Sequence, residues 1–281
     1  MASGAGDWRD RYNLLVAEIT IMNDVSYNLR PVWDALLDIY ETFAAYCEKF
    51  HLRYYVTGGT LLGAVRHDGF IPWDDDFDVV MPRHDYRKFF DVVANELPSN
   101  LQAVDFHNPR MECGFSGMFG KLYDIREGLS ERISEASRLK LSQGVFIDII
   151  PIDGMPRSTL GFYYWALKRS AWRHRNERSF RWRIASWLLN CRGTDVDFER
   201  WLSSYDYDTS PCVEDYNAKG SRLKQRALTG ASFGEPVWHK FDRTTVPLPR
   251  EYEKFLRCVF GQNYMQLPPE EQRYPSHQIV I

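Results

Sequence analysis

The sequence predicts an α/β (α+β) fold, and three observations carry that expectation. An apolar stripe at helical spacing leads into a short run of β-formers, and that run breaks at a glycine pair that opens a second helix. Further strand-like segments, alternating or strongly apolar, recur down the chain.

Each element follows from local pattern. Pro31 reads as an early helical position, and Val32, Leu36, Tyr40, Phe43, Cys47 and Phe50 then recur at steps of three and four, the stripe of a helix lying on a core. Arg53 to Thr57 is rich in β-formers and stops at Gly58-Gly59, after which Thr60 to Arg66 begins a short helix. Pro72 and Trp73 end the following loop. Asp76 to Met81 alternates acid and apolar residues like a half-buried strand, which turns Phe77 and Val79 to the core and puts Asp76 and Asp78 on one face, with Cα atoms about 6.6 Å apart. Arg83 to Asn95 reads as helix, Leu101 to Phe106 and Met118 to Tyr123 as strands, and Val145 to Ile150 as a strongly apolar strand interrupted by Asp148. Phe162 to Arg192 reads as two helices, and Arg250 to Phe260 as a last amphipathic helix closed by Gly261 ahead of Pro268-Pro269.

Bulk properties narrow the field modestly. At 281 residues the chain can bury a full core, and a net charge of -3 gives no whole-molecule attraction to nucleic acid. Met1 to Gly6 lacks the basic and then apolar order of a signal peptide, and no apolar run is long enough to span a bilayer, so a cytosolic location is expected. Cys47, Cys113, Cys191, Cys212 and Cys258 are odd in number and scattered, which argues for reduced thiols and against a structural zinc site, with Cys47 a small core residue.

The chemistry concentrates between His67 and Pro82. Asp68, Asp74, Asp75, Asp76 and Asp78 crowd there with no Lys or Arg among them. Two like charges about 4 Å apart repel by roughly 4 kcal/mol at an effective dielectric near 20, so the cluster calls for a divalent cation. Asp148 is costly to bury on an apolar strand without a partner and is the natural third ligand beside Asp76 and Asp78. The amides of Gly58, Gly59 and Thr60 can approach a phosphate without side-chain clash while carboxylates hold Mg²⁺ or Mn²⁺ against its oxygens. A phosphate loop of the Gly-x-x-x-x-Gly-Lys type, a His-Glu-x-x-His helix and a Gly-x-Ser-x-Gly elbow are missing. A calcium loop starting at Asp74 fails at Val79 and Asp85.

These residues carry a resemblance. Tyr55-Val56-Thr57-Gly58-Gly59-Thr60-Leu61-Leu62-Gly63-Ala64-Val65-Arg66-His67, followed by Gly69-Phe70-Ile71-Pro72-Trp73-Asp74-Asp75-Asp76-Phe77-Asp78, resembles the LicD family, and the likeness continues through Phe146 to Gly154 and Tyr264 to Pro269. Asp68 and Gln262 depart from the family's usual residues. The resemblance implies a nucleotidyltransferase-like fold, a small mixed sheet flanked by helices with additional C-terminal helices. The expected organisation is an N-terminal helical extension over 1–30, a nucleotidyltransferase-like catalytic core over 31–156 and a mainly helical part over 157–281 packed on that core. The resemblance further implies transfer of a phospho-linked group from a CDP-linked donor to a hydroxyl of a glycan or lipid-linked glycan, with release of CMP. Phosphocholine is the family's best-known cargo, and ribitol phosphate is that of the similar fukutin proteins. By carry-over Asp76 and Asp78 match the metal pair and Asp148 the third acid, which is also placed to take the hydroxyl proton.

Beyond the motif, Arg66 and Lys121 are candidate phosphate contacts, with surface ion pairing the alternative. Trp73 offers a ring to a choline ammonium or else plugs the loop, and nothing catalytic falls to His67. Between Phe162 and Arg192, Trp165, Trp172, Trp182 and Trp187 interleave with eight Lys and Arg residues against the single acid Glu177. That pattern fits a helical pair with aromatics inward, or an anion-binding or membrane-surface face. The rival functions are a metal-dependent sugar transferase, which would release a nucleoside diphosphate, and a relative that binds nucleotide or glycan without turnover.

Overall fold

The computed structural model describes residues 27–107, 119–156, 158–175, 179–191, 193–215, 228–275 and 279–280. The expected helical extension over 1–30 lies, apart from residues 27–30, outside this set, as do Cys113 and Met118. In chain order the first half runs α1 (Arg30–Lys49), β1 (Tyr55–Val56), α2 (Gly58–His67), β2 (Asp78–Pro82), α3 (Arg83–Asp91), β3 (Leu101–Val104), β4 (Gly120–Asp124), α4 (Leu129–Ser137), β5 (Leu139–Lys140) and β6 (Val145–Met155). There follow α5 (Thr159–Arg173), α6 (Phe180–Leu188), α7 (Asp195–Ser203), β7 (Cys212–Asp215), α8 (Gly230–Phe233), the hairpin β8 (Val237–Phe241) and β9 (Thr244–Leu248), α9 (Tyr252–Phe260) and β10 (Ile279–Val280).

The main sheet has the order β1-β2-β6-β4-β3, with β7 also paired to β6. β2 and β6 are parallel, while β1, β4 and β7 pair antiparallel with their neighbours, so the sheet is mixed and helices flank it. The expected α/β class and small mixed sheet are what the structure shows. α1 buries Val32, Leu36, Tyr40, Phe43 and Cys47 of the stripe read from the sequence, while Phe50, the last of that stripe, caps the helix and is partly buried, and Pro31 sits in its first turn, where a missing N–H costs nothing. β2 departs from a half-buried pattern: Val79, Val80 and Met81 are all buried, because the strand lies between β1 and β6 and is covered on both faces.

A satellite core of Met155, Phe162, Trp165, Trp172, Phe198 and Leu202 gathers α5, α6 and α7 beyond the end of β6. A buried clamp ties this region to the sheet. Arg83, at the start of α3, donates to both Asp153 oxygens on β6, at 2.8 and 2.5 Å, and to Glu199 on α7 at 2.8 Å. Glu199 also meets His107 at 2.5 Å. Later parts of the chain return to the main core through Phe241, Val246, Leu248, Phe255 and Leu256.

Candidate active site

Sheet register assembles the site. Asp78 on β2 stands directly opposite Asp148 on β6, and Asp148 stands directly opposite Lys121 on β4. Directly opposed residues on neighbouring strands lie on one face with backbones about 4.8 Å apart, so Asp78, Asp148 and Lys121 form a row. Lys121 Nζ is 2.6 Å from Asp148 Oδ1 and 3.4 Å from the centre of the Phe146 ring. Bonds from outside the ladder hold the row. The Asp78 N–H donates to Thr60 Oγ1 at 2.9 Å, the Thr57 N–H to the Asp78 carbonyl at 3.1 Å, and the Asp148 N–H to the Phe77 carbonyl at 2.9 Å.

The glycine turn lies against these carboxylates. Gly58 has φ of +55°, and a Cβ there would stand 2.9 Å from Asp78 Oδ2; a Cβ on Gly59 would stand 2.5 Å from Asp74 Oδ2. The Thr57 side chain makes no capping hydrogen bond at the N-terminus of α2, and the close approach of Gly58 and Gly59 to Asp78 and Asp74 sets the positive end of the helix beside these acids. The acidic loop is anchored from behind. Phe70 stacks on Trp33 with centroids 5.1 Å apart and meets Phe241 edge-on at 4.9 Å, while Trp33 Nε1 donates to the Asp74 carbonyl at 2.7 Å. A cleft beside the row is lined by Asp75, Asp76, Lys121, Phe146 and Asp148, with Val32 and Leu36 of α1 as its apolar wall.

Charge crowding shows in the acids themselves. Burial first, then the negative charges of Asp76 and Asp75 and a hydrogen bond with Asp76, push the Asp74 carboxyl well above the usual carboxylate range, with Arg66 opposing. Among the described residues no three His, Cys, Asp or Glu side chains are set as a ready-made metal cage. An all-oxygen donor set with excess negative charge still suits a hard dication, since Mg²⁺ is ordinarily held by one or two carboxylates plus substrate phosphates and retains several waters.

The predicted residues divide in two. Asp76, Asp78, Asp148, Lys121 and the Gly58-Gly59-Thr60 turn come together. Arg66 lies at the edge, where it acts on the charge of Asp74 while donating to its neighbour His67 Nε2 at 2.9 Å and to the carbonyls of Tyr264 and Gln266, in the chain's later part, at 3.2 and 3.3 Å. Burial lowers its pKa. It therefore pins the Tyr264–Pro269 motif beside α2, which gives that motif a place at the site's edge. The Trp73 ring already carries a cation from this chain, Arg273, whose guanidinium carbon is 5.7 Å from the ring centre. Sequence reasoning missed the wall from α1 and the loop anchor Trp33. Trp33 adjoins the stripe residue Val32, but its partners lie dozens of positions away.

A mixed sheet whose first strand, glycine turn and helix present amides to strand-borne carboxylates defines a nucleotidyltransferase-like domain. Residues 51–133 match the LicD/FKTN/FKRP nucleotidyltransferase domain, and the chain carries this LicD-family domain. It is 26% identical over 258 residues to the lipopolysaccharide cholinephosphotransferase LicD of Haemophilus influenzae, an alignment covering 86% of this chain and 92% of that protein. Shorter likenesses link it to uncharacterized proteins of Rickettsia typhi, at 44% over 45 residues, and Rickettsia prowazekii, at 51% over 37. These cover 16% and 13% of this chain and 15% and 14% of those proteins.

Proposed function

We propose that this protein is a LicD-type transferase that moves phosphocholine from a CDP-activated donor to a hydroxyl of a lipopolysaccharide-type glycan, releasing CMP. The observation that carries the reading is the Asp78–Asp148 register beside the Gly58-Gly59 turn, in a domain whose relative is a cholinephosphotransferase.

In this reading Asp76 and Asp78 hold Mg²⁺ or Mn²⁺, which supplies charge neutralisation at the donor's phosphate oxygens. The amides of Gly58, Gly59 and Thr60 orient the donor phosphate. Asp148 accepts the proton of the acceptor hydroxyl, whose oxygen bonds to the choline-bearing phosphorus as the bond to the CMP oxygen breaks. Lys121, 2.6 Å from Asp148, orients that carboxylate and offers its ammonium to the charge of the reacting phosphate. Phe146 and the apolar wall keep that end of the cleft dry.

Purified protein, Mg²⁺, a lipopolysaccharide-type acceptor and a panel of CDP conjugates, with CMP followed by mass spectrometry, test the proposal. CMP release with CDP-choline, dependent on both acceptor and divalent cation, is expected. Release of a nucleoside diphosphate from a sugar nucleotide, or tight donor binding without product, overturns it. CMP from CDP-ribitol alone keeps the reaction class and replaces the cargo.

A further inference from the structure

Two apolar stripes lie open on α5 and α6. On α5, Leu160, Tyr163, Tyr164 and Leu167 are exposed, Leu160 by 84%. At about 100° per residue they fall within an arc of about 100°. Phe162, Trp165 and Trp172 occupy the opposite side and are buried in the satellite core. On α6, Phe180, Ile184, Trp187 and Leu188 are exposed, Phe180 by 73% and Leu188 by 67%, and they occupy a similar arc. Trp182, Ala185 and Leu189, on its other side, pack on the satellite core.

The stripes look the same way. Ala171 continues the spacing of the α5 stripe and is buried there beneath α6, with Ser186 Oγ donating to the Ala171 carbonyl at 2.9 Å and Trp182 stacked on His174 at 4.7 Å. α6 thus covers the C-terminal half of the α5 stripe and presents its own outer side in the same direction. Within the two helices the charges are of one sign. Arg181 and Arg183 flank the α6 stripe, Lys168 and Arg173 lie on α5, and neither 158–175 nor 179–191 contains an Asp or Glu.

We propose that this face docks the protein on an anionic lipid surface, with Phe180, Ile184, Trp187 and Leu188 entering the boundary between headgroups and acyl chains and Arg181 and Arg183 meeting lipid phosphates. Charge complementarity selects this occupant, because a second copy would bring the same cationic face, with no acid among the described residues of α5 and α6 to pair with it. Exposed Tyr and Trp rings suit the depth at which headgroups meet hydrocarbon. Among the described residues no helix is long and apolar enough to cross a membrane, so the helical pair lies on the surface. The face is separate from the catalytic row, since Met155, where β6 hands over to the helical region, is about 23 Å along the strand from Asp148. The inference goes beyond the reaction proposed above and does not depend on it.

Sedimentation of the full chain with vesicles tests it without an activity readout. Binding is expected with phosphatidylcholine vesicles containing phosphatidylglycerol, and little with phosphatidylcholine alone. The bound fraction is expected to fall about tenfold in about 1 M salt, where the Debye length is about 3 Å. The same fall is expected for Trp187→Ser/Leu188→Ser and for Arg181→Glu/Arg183→Glu, each first shown to keep the parent melting curve. A parent protein that stays in the supernatant with anionic vesicles, or folded variants that pellet like the parent, overturns the proposal. So does a lipid-free dimer that Trp187→Ser/Leu188→Ser dissolves, because it assigns the face to a second copy. If the apolar pair of substitutions impairs folding, the charge-reversed pair decides.

Discussion

Lys121 Nζ and Asp148 Oδ1 face each other at 2.6 Å across adjacent strands, with both side chains largely buried. Removing one member of a buried pair leaves an uncompensated charge, at a cost of about 3–5 kcal/mol. Lys121→Met is expected to lose stability on that scale in cation-free buffer, and Lys121→Met/Asp148→Asn to recover most of it. Mg²⁺ should raise the melting temperature of Lys121→Met more than that of the parent, because the cation replaces the missing ammonium. Calorimetry of the three proteins with and without Mg²⁺ checks this.

Asp76 and Asp78 are only partly buried, and an amide at either position keeps the size of the side chain. Asp76→Asn and Asp78→Asn are therefore expected to melt within a few degrees of the parent while CMP release falls at least about a hundredfold. Turnover at the parent rate in either variant removes that residue from the metal pair.

Gly59 is limited by space. An added methyl would stand 2.5 Å from Asp74 Oδ2, so Gly59→Ala must displace the acidic loop. The expected outcome is a donor KM raised about tenfold, with a stability loss of about 1 kcal/mol. Steady-state kinetics and thermal melts measure the two effects separately.

The raised pKa of Asp74 sets a pH dependence. The folded state holds its proton up to a higher pH than the unfolded chain, whose Asp ionises near about 3.9, so between those two values the folded state binds more protons. This contribution to stability is fully present below the unfolded value and is lost as pH rises through the folded one. Cation-free protein should show that decline, and saturating Mg²⁺ should flatten it by favouring the ionised carboxylates. Melting temperature against pH, with and without Mg²⁺, checks the sign.

Arg83 is the hub of the clamp between β6 and α7, and its side chain is as buried as those of Asp153 and Glu199. Arg83→Met takes the guanidinium from the buried Asp153 carboxylate and leaves Glu199 with only His107 and the more distant Arg87, and it is expected to cost about 3–5 kcal/mol. Comparable stability in urea melts would show that the clamp is structurally dispensable.

Legibility in the sequence followed range. The glycine turn, the acid-x-acid strand and the helices on either side are local patterns, and the structure reproduces them within a few residues. Asp148 stood out because a charge interrupted an apolar run. The expected strand over Arg53 to Thr57 pairs with β2 only at Tyr55 and Val56. The β8–β9 hairpin gave no comparable signal, since Phe241 earns its place only by meeting Phe70 and Phe77, far back in the chain. Arg83 was legible as the start of a helix, but its partners Asp153 and Glu199 lie 70 and 116 positions downstream, and no window of sequence contains them together. For the same reason the carbonyls that Arg66 binds were not legible, since they belong to the chain's far end.

The parallel pairing of β2 with β6 also fixes when during synthesis this centre can come into being. A growing chain that has emerged only as far as β4 already contains the acidic loop and glycine turn, yet lacks Asp148, the carboxylate that β6 sets opposite Asp78. A polypeptide clipped before β6 lacks the strand that carries Asp148, and the row of side chains forms only after that late strand slides into the middle of the sheet.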